Sequence, residues 1–244
     1  MRGLKLLAAA AAVFVVSEAR ADTQLITNGG FETGLAGWSV TNQAGGSGNY
    51  FASSATVAPQ SGLPTVGPKS GLSYAVSDTG GPGAHALAQT FLVPGPASKV
   101  ILTFDMFVND WDGGPVVNPA GLDFTAGSNQ HARVDLLTPG AGPLTTTTGL
   151  LQTFYASVDA GNDPHAYTSY SFDITSLVGS GGLFKLRFGE VDNGGVINQG
   201  IDNVSIDFTA AAAPVPVPMA AYAGVVLFGG LGASRRLRRQ RAEA

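Results

Sequence analysis

The chain has no cysteine, only three histidines, few basic residues in its middle and no stretch with a sustained helical period. Each absence removes a class of chemistry. Without cysteine there is no disulfide, no thiolate-held metal, no thiol nucleophile and no lipidated cysteine of a bacterial lipoprotein. His85, His131 and His165 stand singly, without the H-x-x-x-H or H-x-x-H spacing of a zinc site. No G-x-S-x-G elbow occurs, nor a phosphate-binding glycine pattern followed by lysine. Between residues 22 and 213 five basic residues (Lys69, Lys99, Arg133, Lys185 and Arg187) face fifteen acidic ones, a net charge of −10. A segment so acidic, with no basic patch, is a poor partner for nucleic acid or another anionic polymer.

What is present is β-forming sequence cut by turns. Thirty-four glycines and fourteen prolines among 244 residues punctuate runs rich in Val, Phe, Leu, Ile and Thr. At 44% hydrophobic residues the chain has enough apolar surface for one core. Trp38-Ser39-Val40 reads as a strand, and the prolines and glycines of residues 60–71 as a loop. Leu72, Tyr74 and Val76 alternate with polar or small residues, as in a half-buried strand. Leu87, Gln89, Phe91 and Val93, the turn Pro94-Gly95-Pro96, then Val100, Leu102, Phe104, Met106 and Val108 predict a hairpin-like pair. Further strands are expected over 133–137, 167–174, 183–188 and 201–208. Thr145 to Thr148 read as solvated loop or edge, and Ser176 to Gly179 as a turn. Eight to ten strands fit a two-sheet sandwich.

The two ends have a different character. Arg2 and Lys5, an apolar run from Leu6 to Val16, and Ala19-Arg20-Ala21 form a secretory signal peptide, residues 1–21. That run is too short to span a bilayer, which takes about twenty residues. After the domain, residues 22–209, comes an Ala/Pro linker, 210–218. The last segment, 219–244, has an apolar part (219–233) and an arginine cluster: Arg235, Arg236, Arg238, Arg239 and Arg241. As a helix, the apolar part would reach about 22 Å, short of a hydrocarbon core of about 30 Å. Clustered arginine marks the cytoplasmic side, which puts the domain outside.

Two stretches point to a family. Asn28-Gly29-Gly30-Phe31-Glu32-Thr33-Gly34 with Gly37-Trp38, and Gly200-Ile201-Asp202-Asn203-Val204-Ser205-Ile206, resemble the opening and closing of galactose-binding-like β-jelly rolls. The pattern L-x-Q-x-F-x-V, from Leu87 to Val93, is similar to the same families. The expected fold is therefore all-β, a two-sheet antiparallel jelly-roll sandwich, flanked by an N-terminal signal helix and a short C-terminal transmembrane helix. The resemblance implies that Glu32 and Asp202 join backbone carbonyls around a structural calcium ion, a hard cation that takes six to eight oxygens. The alternative for the same residues is that Glu32 caps a turn and Asp202 pairs with a backbone amide.

The tail, with Pro216-Val217-Pro218 before the short apolar segment and its arginines, resembles sorting signals of the PEP-CTERM class and its VPxPA-like variants. Pro-Glu-Pro itself is absent. That resemblance implies an exosortase-like processing enzyme and secretion machinery as partners, with Pro216, Pro218, Arg235, Arg236, Arg238 and Arg239 as the residues read. The chain would be exported, anchored in the inner membrane through its C-terminal helix before processing, then at the cell surface or in extracellular matrix.

Asn109-Asp110-Trp111-Asp112-Gly113-Gly114 is the polar-aromatic loop of the chain. Such a tryptophan stacks on a sugar ring while Asn109, Asp110 and Asp112 hydrogen-bond its hydroxyls, or it folds back on the core, the commoner case. Tyr155, Tyr167 and Tyr170 would add stacking surface or pack an edge strand. The expectation is a non-catalytic exported matrix or surface protein, structural or adhesive in exopolysaccharide. The alternative is a carbohydrate-binding module with a defined ligand. Glycan hydrolysis is the third reading, and it depends on the spatial separation of two carboxylates.

Overall fold

A computed structural model describes residues 22–118 and 121–212. The stretches read as a signal peptide and a short transmembrane helix, most of the linker, and Pro216, Pro218, Arg235, Arg236, Arg238 and Arg239 lie outside the described residues. Among the described residues no helix is long and apolar enough to cross a membrane.

The elements are β1 (Thr23–Gln24), β2 (Ser39–Asn42), β3 (Asn49–Ser53), β4 (Tyr74–Asp78), β5 (Gly83–Val93), β6 (Ala97–Asp110), β7 (His131–Leu137), β8 (Leu150–Ser157), β9 (Thr168–Asp173), α1 (Thr175–Val178), β10 (Gly182–Asp192) and β11 (Ile197–Ala210). They form two antiparallel sheets. One has the order β3-β4-β11-β6-β9, with β1 also on β11; the other has the order β2-β5-β10-β7-β8. This is the all-β jelly-roll sandwich that the sequence predicts.

The alternation read along β5 and β6 holds, but the pairing does not. β5 bonds to β2 and β10, whereas β6 bonds to β11 and β9. The Pro94-Gly95-Pro96 turn therefore carries the chain from one sheet to the other. Alternation reports only which face is buried; two facing sheets satisfy it as well as two neighbouring strands do. β4 is buried along its whole length, and Leu72 lies before it, 77% exposed. Residues 175–178 make one helical turn instead of a simple bend.

Val100, Leu102, Phe104, Met106 and Val108 of β6 meet Leu87, Phe91, Val93, Val134, Leu136, Leu186 and Phe188 of the second sheet in one core. Burying each such side chain contributes about 1.5–3 kcal/mol, before the entropy of ordering it. Phe104 and Phe188 meet edge to face at 5.4 Å across the layers. Where the sandwich opens between edge strands β8 and β9, Phe154 and Phe172 close it at 4.8 Å.

The opening motif is a folded turn and contains no strand. Asn28 donates its side-chain amide to the carbonyls of Gly34 and Ala36 and accepts the Thr33 N–H. Phe31 sits at φ 56, a conformation unfavourable for a bulky residue, and is held there by complete burial against Trp38, 5.4 Å between ring centres. Gly29 lies so close to β11 that a Cβ would come within 1.9 Å of the Val204 carbonyl oxygen. That approach lets the Val204 N–H donate to the Gly29 carbonyl at the β11 irregularity between Asp202 and Ser205. With β1 paired to Asp207 and Phe208, the two ends of the domain close side by side.

Candidate functional site

Charged and polar side chains gather in three places, and their bonding differs. The first is the clamp formed by Glu32 and Asp202. Glu32 accepts the backbone N–H of Leu72 (2.9 Å) and Ser73 (3.2 Å). Asp202, fully buried, accepts those of Lys69 (2.9 Å), Ser70 (3.0 Å) and Asn203 (2.7 Å). Two acids that stand 170 positions apart in the sequence thus grip one loop, residues 69–73. Burial raises the Asp202 carboxyl above the ordinary range, and the amides of the loop oppose that rise. Among the described residues neither acid is paired with a basic side chain, and no group of three or more His, Asp or Glu could hold a metal. A calcium ion would find two carboxylates with no basic partner among the described residues. Most carboxylate lone pairs already serve amides, so the ion would add to a clamp that closes without it.

The second place is the outer face of the β2-β5-β10-β7-β8 sheet. Three of the five basic residues of the domain lie there. Arg133 donates to both oxygens of Asp135 at 2.7 Å. Arg187, fully buried, pairs with the same carboxylate and donates to the carbonyls of Pro143 (2.8 Å) and Thr145. Lys185 donates to the Ala141 carbonyl at 2.6 Å. These bonds pin residues 141–145 over the sheet. Burial alone would raise the Asp135 carboxyl, but the two guanidinium groups outweigh it and hold it below the usual range. Leu122 with Phe124 covers the next part of the face against Ala84 and Val191. Under this cover His131 is fully buried, and burial lowers its pKa to about 4. This part of the face is covered, with its charges spent internally, whereas Leu92 and Leu183 further along it are exposed.

The third place is the loop end of the sandwich. Here the β4–β5 turn (79–82), the loop after β6 and the β10–β11 turn (193–196) meet around two clefts of about 220 and 200 Å³. Asp112, Asn193 and Gly194 line both. The walls are fixed by amide bonding. Gln130 accepts the N–H of Asn193 (3.2 Å) and Gly194 (3.1 Å) and donates to Gly195 O (3.0 Å) and Asp110 (3.2 Å). Asn129 donates its backbone N–H to the Asn193 side chain at 2.8 Å. Asp112 packs over Gly195, where a Cβ would lie 1.8 Å from its Oδ2, so only glycine fits that position. Asp112 is exposed, and among the described residues neither of its carboxylate oxygens accepts a hydrogen bond. Asp192 lines one cleft, bonded to Thr79 Oγ1 (2.6 Å) and the Gly83 N–H (2.7 Å), and burial pushes it up to about 6. Beneath it Glu190, on the inner face with Leu186 and Phe188, is fully buried. Neither of its oxygens is bonded, and burial raises its pKa well above the usual range, with Asp192 and Asp78 adding to the rise.

Of the four sugar-binding residues expected from sequence, the structure brings one into the clefts. Asp112 lines both. Trp111 is half-buried and tied by Nε1 to Asn198 Oδ1 at 3.0 Å, adjacent to the clefts but not in their walls. Asp110 shapes the loop by accepting the Gly114 N–H at 2.6 Å. Asn109 is fully buried, accepting the His165 N–H at 2.8 Å and donating to Pro64 O. Tyr155, Tyr167 and Tyr170 pack on Tyr170, Phe107 and Phe104 respectively, the edge-packing role. Sequence reading missed Asn129, Gln130 and Asn193. The run Asp192-Asn193-Gly194-Gly195 was a signal, but as a turn it gave no hint that two amides would meet it from 60 residues away.

The fold and this loop end define a class of protein: a jelly-roll β-sandwich domain with a polar cleft between its loops. No known family matches the sequence, and no curated protein does. Among solved structures the chain is similar to TmCBM61, determined in complex with beta-1,4-galactotriose, at 12% identity and TM-score 0.47, over 75% of this chain and 97% of that one. It is also similar to a family 16 carbohydrate-binding module (14%, 0.40, 75% and 98%). A third is the Stig cyclase Fisc of Fischerella sp. TAU (15%, 0.45, 79% and 100%). Two of these three are carbohydrate-binding modules by name, and at such scores and identities the likeness carries nothing about ligand or reaction.

Proposed function

We propose that the described domain is a non-catalytic carbohydrate-binding module of an exported protein, with its site in the loop-end clefts. The observation that carries this reading is Asp112: an exposed carboxylate with free acceptors, set between two clefts whose amide walls are fixed before any ligand arrives. Sugar hydroxyls donate to such a carboxylate and exchange hydrogen bonds with amides, and a preformed wall spares the entropy of ordering it. The covered charge cluster on the sheet face supports the same assignment, because its polar groups are already paired with one another and with residues 141–145. Trp111 borders the site and supplies an apolar edge; without a ring in the cleft wall, binding is expected to be shallow. The amide-rich lining favours binding over hydrolysis, and we read the leader and the proline-arginine tail as delivering and sorting the chain to the outside. Calcium at the Glu32–Asp202 clamp would have a structural part only.

A screen of the full chain against bacterial and plant polysaccharides tests this. Retention of a defined glycan that is lost in Trp111→Ala or Asp112→Ala is the expected result. Silence across the array would return the protein to a structural role in matrix, and release of reducing ends from any glycan would make it an enzyme.

A further inference from the structure

The charge of the loop end narrows what it could take. Among the described residues every ionisable side chain lining the two clefts is an acid, Asp112 or Asp192, and no basic one lines them. Glu190, buried behind Asp192, keeps its proton and adds no charge, so the field at the clefts is set by the aspartates. The arginines that could have balanced this end, Arg133 and Arg187, are committed to Asp135 and to the carbonyls of Pro143 and Thr145 on the other side of the sheet. A ligand entering the clefts meets a negative field with one carboxylate free to pair.

We infer that Asp112 is a specificity-determining residue that makes the loop-end site prefer amine-bearing sugars, such as oligomers of glucosamine with free amino groups, and reject uronates. This rests on the carbohydrate-binding reading of the same clefts. A protonated amine gives Asp112 a charge-assisted hydrogen bond that a neutral hydroxyl cannot match. A uronate carboxylate placed at the same point meets repulsion with no cation to offset it. Asp112 is exposed, so each effect is of the size of a surface ion pair. Attraction on one side and repulsion on the other together separate the two ligands by about tenfold.

The test is calorimetric titration of the full chain with tetramers of glucosamine, N-acetylglucosamine, galactose and galacturonate, at low and at high salt. The amine-bearing tetramer should bind most tightly and the galacturonate about tenfold more weakly, and the gap should shrink as added salt screens it. Asp112→Asn should bring the ligands together. Asp173→Asn, which removes the same charge from the exposed end of β9, should leave the ranking as it was. Binding of neutral or acidic tetramers with no preference for the amine overturns this inference and leaves the carbohydrate reading standing. So does a preference that survives Asp112→Asn. Binding of none of the tetramers, nor of any glycan in the wider screen, overturns both.

Discussion

On the outer face of the β2-β5-β10-β7-β8 sheet, Arg133, Asp135 and Arg187 are buried and bonded to one another and to a covering loop, whereas at the loop end Asp112 is exposed and its oxygens are unused. Both places are polar, and both would look functional in a list of charged residues. The difference is whether a partner remains to be found. A saturated cluster contributes structure, and its charges are silent to solvent; an unsaturated carboxylate between preformed amide walls is where a ligand gains something.

The strongest way to break this contrast is to open the covered charge cluster. Arg187→Ala would leave the buried Asp135 with one guanidinium and the 143–145 carbonyls without their donor. A loss of about 3–5 kcal/mol is expected in urea titration, with faster amide exchange over residues 141–149. A variant as stable as the parent would show the cluster to be ornamental.

Next in size is the pH response of His131. Its pKa is about 4 in the fold against 6.5 in the unfolded chain, so the unfolded state takes the proton first as pH falls. Stability is then full above 6.5 and is lost down to about pH 4, by up to about 3 kcal/mol. Melting curves across that range should fall for the parent and stay flatter for His131→Leu. Glu190 acts with the opposite sign. Its carboxyl holds its proton in the fold, so stability is highest below the unfolded value of 4.5 and declines as pH rises toward the folded one. Glu190→Gln should remove that decline and raise stability at neutral pH by on the order of 1 kcal/mol. An unchanged pH profile would mean that the carboxyl finds water or a partner.

Smallest of all is the effect expected at the clamp. If a calcium ion joins Glu32 and Asp202, chelation should lower the melting temperature by a few degrees, because the loop amides hold residues 69–73 in any case. Coincident curves with calcium and with chelator would remove the ion.

Much of this was legible in the residues. The period-two alternation of β5 and β6 announced their buried faces, and Asn28 to Gly34 with Gly200 to Ile206 resembled the opening and closing of a jelly roll. Neighbourhood was not legible: β5 and β6 looked like a hairpin because alternation is blind to which sheet a strand joins. β8 went unread, since Leu150 to Ser157 begins with two leucines and alternates only weakly, as suits an edge strand opposite two register shifts. The loop-end site was half visible. Asp112 stood out by its neighbours, whereas Gln130 and Asn193 are ordinary polar residues that acquire a role only when the β6–β7 loop and the β10–β11 turn are brought together.

The position of β11 has a consequence in time. This last strand, residues 197–210, lies between β4 and β6 in the interior of its sheet and pairs with β6 along nearly its whole length. Until it has been synthesised, β4 and β6 present two bare inner edges and the domain has no way to close. Folding of this domain therefore waits until residue 210 has been made, and a chain halted before residue 197 is a sticky half-sandwich rather than a smaller domain.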